Sequence, residues 1–169
     1  MKYNVVTIGG GSGLSTLLRG LKNYPVNITA VVAVSDDGGS SGKLRTELGV
    51  LPPGDIRNCL VALSEEENLM TKLFNYRFPK KGFLSNHSFG NLFLTALSSI
   101  SGRFDKAISN ASRILAIKGK VLPVSLDNVI LKAELEDGTK VSGETKISKS
   151  KKTISKVEIF PKNAKSSKD

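Results

Sequence analysis

A short apolar run at positions 3–8 leads directly into Gly9-Gly10-Gly11-Ser12-Gly13, and a helical pattern follows. Few arrangements satisfy that order. The apolar run predicts a buried strand. The glycines predict a sharp turn with bare backbone, and the pattern after them predicts a helix whose first N–H groups are free. Free N–H groups and the helix dipole favour an anion at that point. The anion that fits best is a phosphate of a nucleotide or nucleotide-like ligand, with the Ser12 hydroxyl as a further donor. The plainer alternative is a turn that needs positive φ and holds no ligand. The loop is neither the dinucleotide fingerprint G-x-G-x-x-G nor a Walker loop: no glycine stands at position 14 or 16, and no Lys-Ser/Thr pair follows.

Periodicity extends the pattern. A helix is predicted over 14–22, with Leu14, Leu17, Leu18 and Leu21 on one face, and a second apolar strand over 28–34. Strand, helix and strand form a βαβ unit, which implies a parallel pair with a right-handed crossover. Residues 35–54 read as a long polar loop. Helices are expected over 55–63, 68–78, 88–101 and 104–117. Glu65–Glu67 are expected as an exposed helix start, and Lys118-Gly119 as the cap of the last helix. Beyond residue 120, alternating apolar and polar positions at 129–135, 141–147 and 154–159, with Asp137-Gly138 as a turn signal, predict an antiparallel segment. The expected organisation is a nucleotide-binding α/β portion at 1–120, a β-rich segment at 121–160 and a disordered tail at 161–169.

Composition excludes several functions. With one cysteine, Cys59, and one histidine, His87, the 169-residue chain makes neither an internal disulfide nor a Cys/His zinc site. No apolar run reaches membrane-span length, and the N-terminus lacks a signal-peptide pattern, so a cytoplasmic protein is expected. Net charge is +10, but +6 of it lies in residues 140–169, which hold nine lysines, no arginine and one aromatic. Nucleic-acid surfaces use arginine and interleaved aromatics, so no nucleic-acid partner is expected.

Three further motifs carry chemistry. Ser35-Asp36-Asp37-Gly38-Gly39-Ser40-Ser41-Gly42 follows the second strand, at the end of the sheet where α/β proteins bind ligands. Its acids are candidates for a ribose hydroxyl, for Mg²⁺ or for a base. Its glycines and serines resemble a second anion nest, with Lys43 or Arg45 as counter-charge. The alternative is a mobile polar linker. Asp55 and Asn58 stand one turn apart at a helix start, and so do His87 and Asn91 with Ser88 and Gly90 between them. Simple capping and a structural histidine are the alternatives there. A Ser-His-Asp triad is a poor reading of these residues.

Together with Leu51-Pro-Pro-Gly-Asp-Ile-Arg-Asn-Cys-Leu60, His87-Ser-Phe-Gly-Asn-Leu92 and Ala116-Ile-Lys-Gly-Lys-Val-Leu-Pro-Val124, these motifs resemble the YvcK family of gluconeogenesis factors, a branch of the CofD-like superfamily. The resemblance spans about residues 1–160 in order, with Ser12 where the family usually has threonine. It implies a three-layer αβα Rossmann-like fold with a parallel sheet. It implies a regulator that binds UDP-sugars such as UDP-N-acetylglucosamine and supports cell shape during growth on gluconeogenic carbon. Two alternatives accompany it: a 2-phospho-L-lactate transferase of the CofD type, using Mg²⁺, or a non-functional truncated remnant. By the resemblance, Gly9, Gly10, Gly11, Ser12, Gly13, Asp37, Gly38, Gly39, Ser40, Ser41, Asp55, Asn58, His87, Ser88 and Asn91 line the ligand site. Asp36 and Asp37 are the catalytic or Mg²⁺ candidates. Family members run to about twice this length, with a further glycine-rich ligand loop that this sequence lacks. An N-terminal fragment is therefore expected, with an exposed sheet edge that favours aggregation or pairing, a homo-oligomer being one outcome.

Overall fold

A computed structural model describes residues 2–65 and 69–167. The first strand, β1 (Tyr3–Gly9), runs into α1 (Gly11–Leu21) and returns as β2 (Val26–Val32). Then come α2 (Gly39–Leu48), α3 (Gly54–Leu63), α4 (Leu69–Asn75), α5 (Phe89–Ser101), α6 (Phe104–Ile114) and β3 (Lys120–Pro123). The last part is β4 (Ile130–Leu135), β5 (Lys140–Ser142), α7 (Glu144–Lys149) and β6 (Ile154–Phe160). Strands β1, β2 and β3 form a parallel sheet in that order; β5, β4 and β6 form a separate antiparallel sheet. The α/β class, the parallel sheet and the antiparallel segment stand as the sequence predicts.

Two right-handed crossovers that advance in one direction place their helices on one face of a sheet. The core lies there: Ile28, Ala30 and Val32 of β2 pack with Leu14, Leu18, Ile56, Leu60, Leu63, Ile108 and Val121. The other face is open among the described residues. Val6 and Ile8 are 63% and 77% exposed, although the apolar run predicts a buried strand.

Several elements differ from the sequence reading. The first helix begins at Gly11, inside the glycine loop, because Gly11 takes a φ of +64° that a side chain would disfavour. The polar loop 35–54 contains α2, entered through Gly38 and closed by Gly49 in the left-handed conformation. Gly42 is obligatory within it, since a Cβ there would overlap the Asp37 carbonyl. Residues 141–147 are not one strand: Gly143, at φ +100°, ends β5, and α7 follows. The helix predicted over 104–117 stops at Ile114, and Lys118-Gly119 does not cap it; Gly119 instead brings the chain against the Ile28 carbonyl on the way into β3. Lys120–Pro123 belongs to the parallel sheet rather than to the β-rich segment. The stretch expected as a disordered tail is tied down through Ser167: Ser125 donates to the Lys165 carbonyl, Lys165 N–H to Asp127 and Ser167 N–H to the Val124 carbonyl. Of the expected acidic helix start, Glu66 and Glu67 lie outside the described residues, as do Asn68 and the last two positions.

Candidate functional site

Parallel strands end together, so the chain leaves β1 and β2 at one end of the sheet. Loops at that end are short on side chains: Gly9 to Gly11 after β1, and Gly38-Gly39 before α2. Helix α1 starts at Gly11 and α3 at Gly54, and the Asp55 carboxylate brings the two together by lying against the glycine loop, where the Gly11 N–H favours its charged form. The approach is close. A Cβ on Gly10 would lie 2.7 Å from Asp55 Oδ2, and one on Gly54 would lie 3.0 Å from Asp36 Oδ2 and against Ser41 Oγ.

Helix α5 enters the same neighbourhood. Ser88 caps it, accepting the Asn91 N–H at 3.2 Å. His87, just before the cap, shares a 3.0 Å hydrogen bond between Nδ1 and Ser40 Oγ in the first turn of α2. Both side chains are buried. The first turns of α1, α2, α3 and α5 are thus linked through Asp55, Ser41, Ser40 and His87. Each first turn carries N–H groups without helical acceptors, and their partial positive charges add. Gly9 to Gly11 are half-buried, while Ser12 and Gly13 are exposed, so the glycine loop forms an accessible shelf beside this junction.

Charge is balanced unusually. Burial pushes the Asp55 carboxyl above the ordinary value; the nearby Asp36 charge adds to this, and the Gly11 N–H opposes it. Arg57 is buried and brought down to about 10, chiefly by burial and then by Arg77. It donates to Asn58 Oδ1 at 2.6 Å and to the Phe74 carbonyl at 3.4 Å, and its Nε has no partner among the described residues. Asn91 Oδ1 is likewise buried without a partner there. Burial also pushes the Cys59 thiol up to about 12, which leaves it inert and structural.

The two adjacent aspartates part company. Asp36 Oδ1 accepts the Gly38 N–H at 2.8 Å and faces the Asp55 side of the junction. Asp37 faces the antiparallel sheet: its Oδ1 accepts the Thr145 N–H at 2.8 Å and the Thr145 hydroxyl at 2.6 Å. Burial raises the Asp37 carboxyl, but these bonds outweigh it and hold the group below its ordinary value. Arg45, expected as a counter-charge, donates to the Val129 and Ser35 carbonyls. Asp37 and Arg45 therefore tie the loop after β2 and helix α2 to α7 and to the chain just before β4. The carboxylate whose charge acts on Asp55 is that of Asp36, so Asp36 and Asp55, rather than Asp36 and Asp37, are the acids that could hold a magnesium ion together. Such an ion would offset the charge of phosphate oxygens there. No group of three or more metal-binding side chains occurs among the described residues.

Sequence reasoning missed Arg57, although it lies in the quoted motif; an arginine two residues before the apolar run Cys59–Leu63, with no acid four residues away, was the available signal. It also missed Thr145, which nothing local marks. A groove of about 830 Å³ lies at the opposite end of the parallel sheet and includes Lys2, Lys22, Lys118 and Lys120. No helix among the described residues is long and apolar enough to cross a membrane.

Known proteins resemble this chain in sequence and in fold. The sequence model of the family described as 2-phospho-L-lactate transferase CofD matches residues 5–169. A curated relative from Halalkalibacterium halodurans, called gluconeogenesis factor, is 56% identical over 164 residues, which are 97% of this chain and 51% of the relative. A Bacillus subtilis protein of the same name is 52% identical, over 95% of this chain and 50% of its own length. A crystal structure of a Bacillus halodurans protein superposes with a TM-score of 0.95 at 55% identity, covering 99% of this chain and 54% of that one. A second crystal structure from that organism, described as a member of the upf0052 family, gives 0.93. This chain therefore spans about half the length of these relatives.

Proposed function

The chain belongs to the CofD family, and from that premise we propose that it forms the phosphate-binding half of a gluconeogenesis-factor-type regulator. Its ligand is a nucleotide sugar of the UDP-N-acetylglucosamine kind, its place is the cytoplasm, and its role is support of cell shape on gluconeogenic carbon. The observation that carries the reading is the junction of the first turns of α1, α2, α3 and α5 beside a glycine shelf. The shelf and the first turns of α1 and α2 bind the diphosphate. Asp36 and Asp55 lie where a cation or a ribose hydroxyl would meet it, while His87 and Ser88 close the far side. Gluconeogenesis factor is the name carried by the Halalkalibacterium halodurans and Bacillus subtilis relatives.

Thermal unfolding with UDP-N-acetylglucosamine tests this. A ligand at about 100 times its Kd adds about 2.7 kcal/mol, or a rise of roughly 5–10 °C for a chain of this size. No rise at millimolar ligand counts against the reading. The second reading is a 2-phospho-L-lactate transferase-like enzyme of the CofD type, favoured by the nearness of the Asp36 and Asp55 charges. A product assay with guanylated donors and Mg²⁺ that stays blank in the parent chain, as in Asp36→Asn, removes it.

A further inference from the structure

Residues 76–88 join α4 to α5 as a short closed loop. Two backbone bonds make its stem: Phe78 N–H donates to the His87 carbonyl at 2.9 Å, and Phe89 N–H to the Tyr76 carbonyl at 2.9 Å. The Tyr76 and Phe78 rings pack edge to face beside them. Gly82 at φ +82° and Asn86 at φ +63° turn the tip, where Ser85 N–H donates to the Gly82 carbonyl and His87 N–H to the Leu84 carbonyl. The tip is therefore folded, yet it holds its largest side chain out into solvent. Phe83 is 104% exposed, so no neighbouring group covers its ring, and Leu84 beside it is exposed as well. Single exposed apolar residues are ordinary, but a bare aromatic ring and a leucine together at a projecting turn are not.

The charge around the tip has one sign. Arg77, Lys80 and Lys81 flank Phe83, and no acid occurs in residues 68–104. Neither Lys80 nor Lys81 has an ion-pair partner among the described residues. Apolar side chains beside unpaired cations match the boundary of an anionic bilayer, where acyl chains lie just beneath negative headgroups. The shape agrees with that match. Anchors of protein interfaces sit in well-packed pockets offered by the partner. A projecting ring on a narrow turn instead suits a fluid surface that opens to receive it.

We propose that the 77–84 tip is an interfacial anchor by which this chain attaches reversibly to an anionic lipid surface. Phe83 and Leu84 enter the boundary between headgroups and acyl chains, and Arg77, Lys80 and Lys81 meet the headgroup charge. Because the loop leads directly into His87 and Ser88, attachment brings the first turn of α5 close to the membrane surface.

Flotation of the full chain with vesicles tests this, using equal parts phosphatidylglycerol and phosphatidylcholine in one arm and phosphatidylcholine alone in the other. Affinity should be at least about tenfold higher for the anionic vesicles and should fall with added salt. Lys80→Gln and Lys81→Gln should each cost about fivefold, and Phe83→Ser about tenfold. Thermal unfolding of these variants without vesicles should match the parent, because the side chains are exposed. Lys149→Gln with Lys151→Gln removes the same charge from the lysine-rich region 140–169 and should change affinity by less than about twofold. The chain has no tryptophan, so Phe83→Trp reports on the tip alone, and its emission should shift to the blue on anionic vesicles. Absence of binding to the anionic vesicles overturns the proposal. So does an equal loss from the two lysine pairs, or an unshifted tryptophan emission in bound protein. No nucleotide enters the test, so its outcome is independent of the ligand reading.

Discussion

Gly90 stands one residue into α5, where that helix crosses the Arg57 side chain and the end of α4. An alanine Cβ there would lie 2.7 Å from the Phe74 carbonyl oxygen, 2.8 Å from Arg57 Cδ and 3.0 Å from Arg57 Cγ. Ordinary carbon–oxygen contact needs about half an ångström more. The oxygen is backbone, and the Arg57 stem is held by the bonds of its guanidinium to Asn58 and Phe74. Neither neighbour yields easily, so α5 must lift. Two effects compete in Gly90→Ala. Helix propensity favours alanine by about 1 kcal/mol. Overpacking costs about 1–3 kcal/mol, and a weakened Ser40–His87 hydrogen bond adds about 1 kcal/mol. The expected net loss is about 1–3 kcal/mol, or roughly 2–10 °C in Tm. Urea unfolding measures the first quantity and calorimetry the second. Ligand affinity should fall more than stability, because lifting α5 separates one first turn from the other three. A Gly90→Ala chain at least as stable as the parent, with unchanged affinity, would refute the reasoning.

The helix cap at Ser88 is worth about 1 kcal/mol, so Ser88→Ala should lose that amount in urea unfolding. Asp55 has a raised carboxyl value in the fold, so its neutral form is favoured there; stability should fall as pH rises from about 4 through that raised value, and Asp55→Asn should flatten this part of the pH profile. Asp37 behaves oppositely: its depressed value contributes stability above the ordinary carboxylate range that is lost as pH falls through it. Thr145→Val should remove about 1 kcal/mol at pH 7 and much less at pH 2, measured by urea unfolding at both.

The parts of this fold legible in the sequence are those where local pattern and tertiary role coincide. The α1–β2 stretch could be read because Leu14, Leu18, Ile28, Ala30 and Val32 face one core. Helix α5 could be read because its cap and its apolar stripe point the same way. Helix α2 could not: it opens Gly39-Ser40-Ser41-Gly42, poor helix formers all, and only Leu44 among its residues is a buried large hydrophobe. What holds it is non-local, through Ser40 on His87 and Arg45 on Val129. Helix α7 was hidden for a similar reason. Val141, Thr145 and Ile147 fit a strand period, but Gly143 breaks it and Asp37, 108 residues away, grips Thr145. The site divides likewise. Its glycine turns and helix starts are local features, whereas the choice of Asp55 over Asp37 as the neighbour of Asp36 depends on how α3 meets α1.

The central claim is that the first turns of four helices and the glycine shelf hold the phosphates of one ligand. Nuclear magnetic resonance of the chain during titration with UDP-N-acetylglucosamine tests it residue by residue. The account predicts saturable amide shifts at Gly10, Gly11, Gly39, Ser40 and Phe89, with the lysine-lined groove at the opposite end of the sheet unmoved. Shifts confined to Lys2, Lys22, Lys118 and Lys120, or no shift at millimolar ligand, would contradict it.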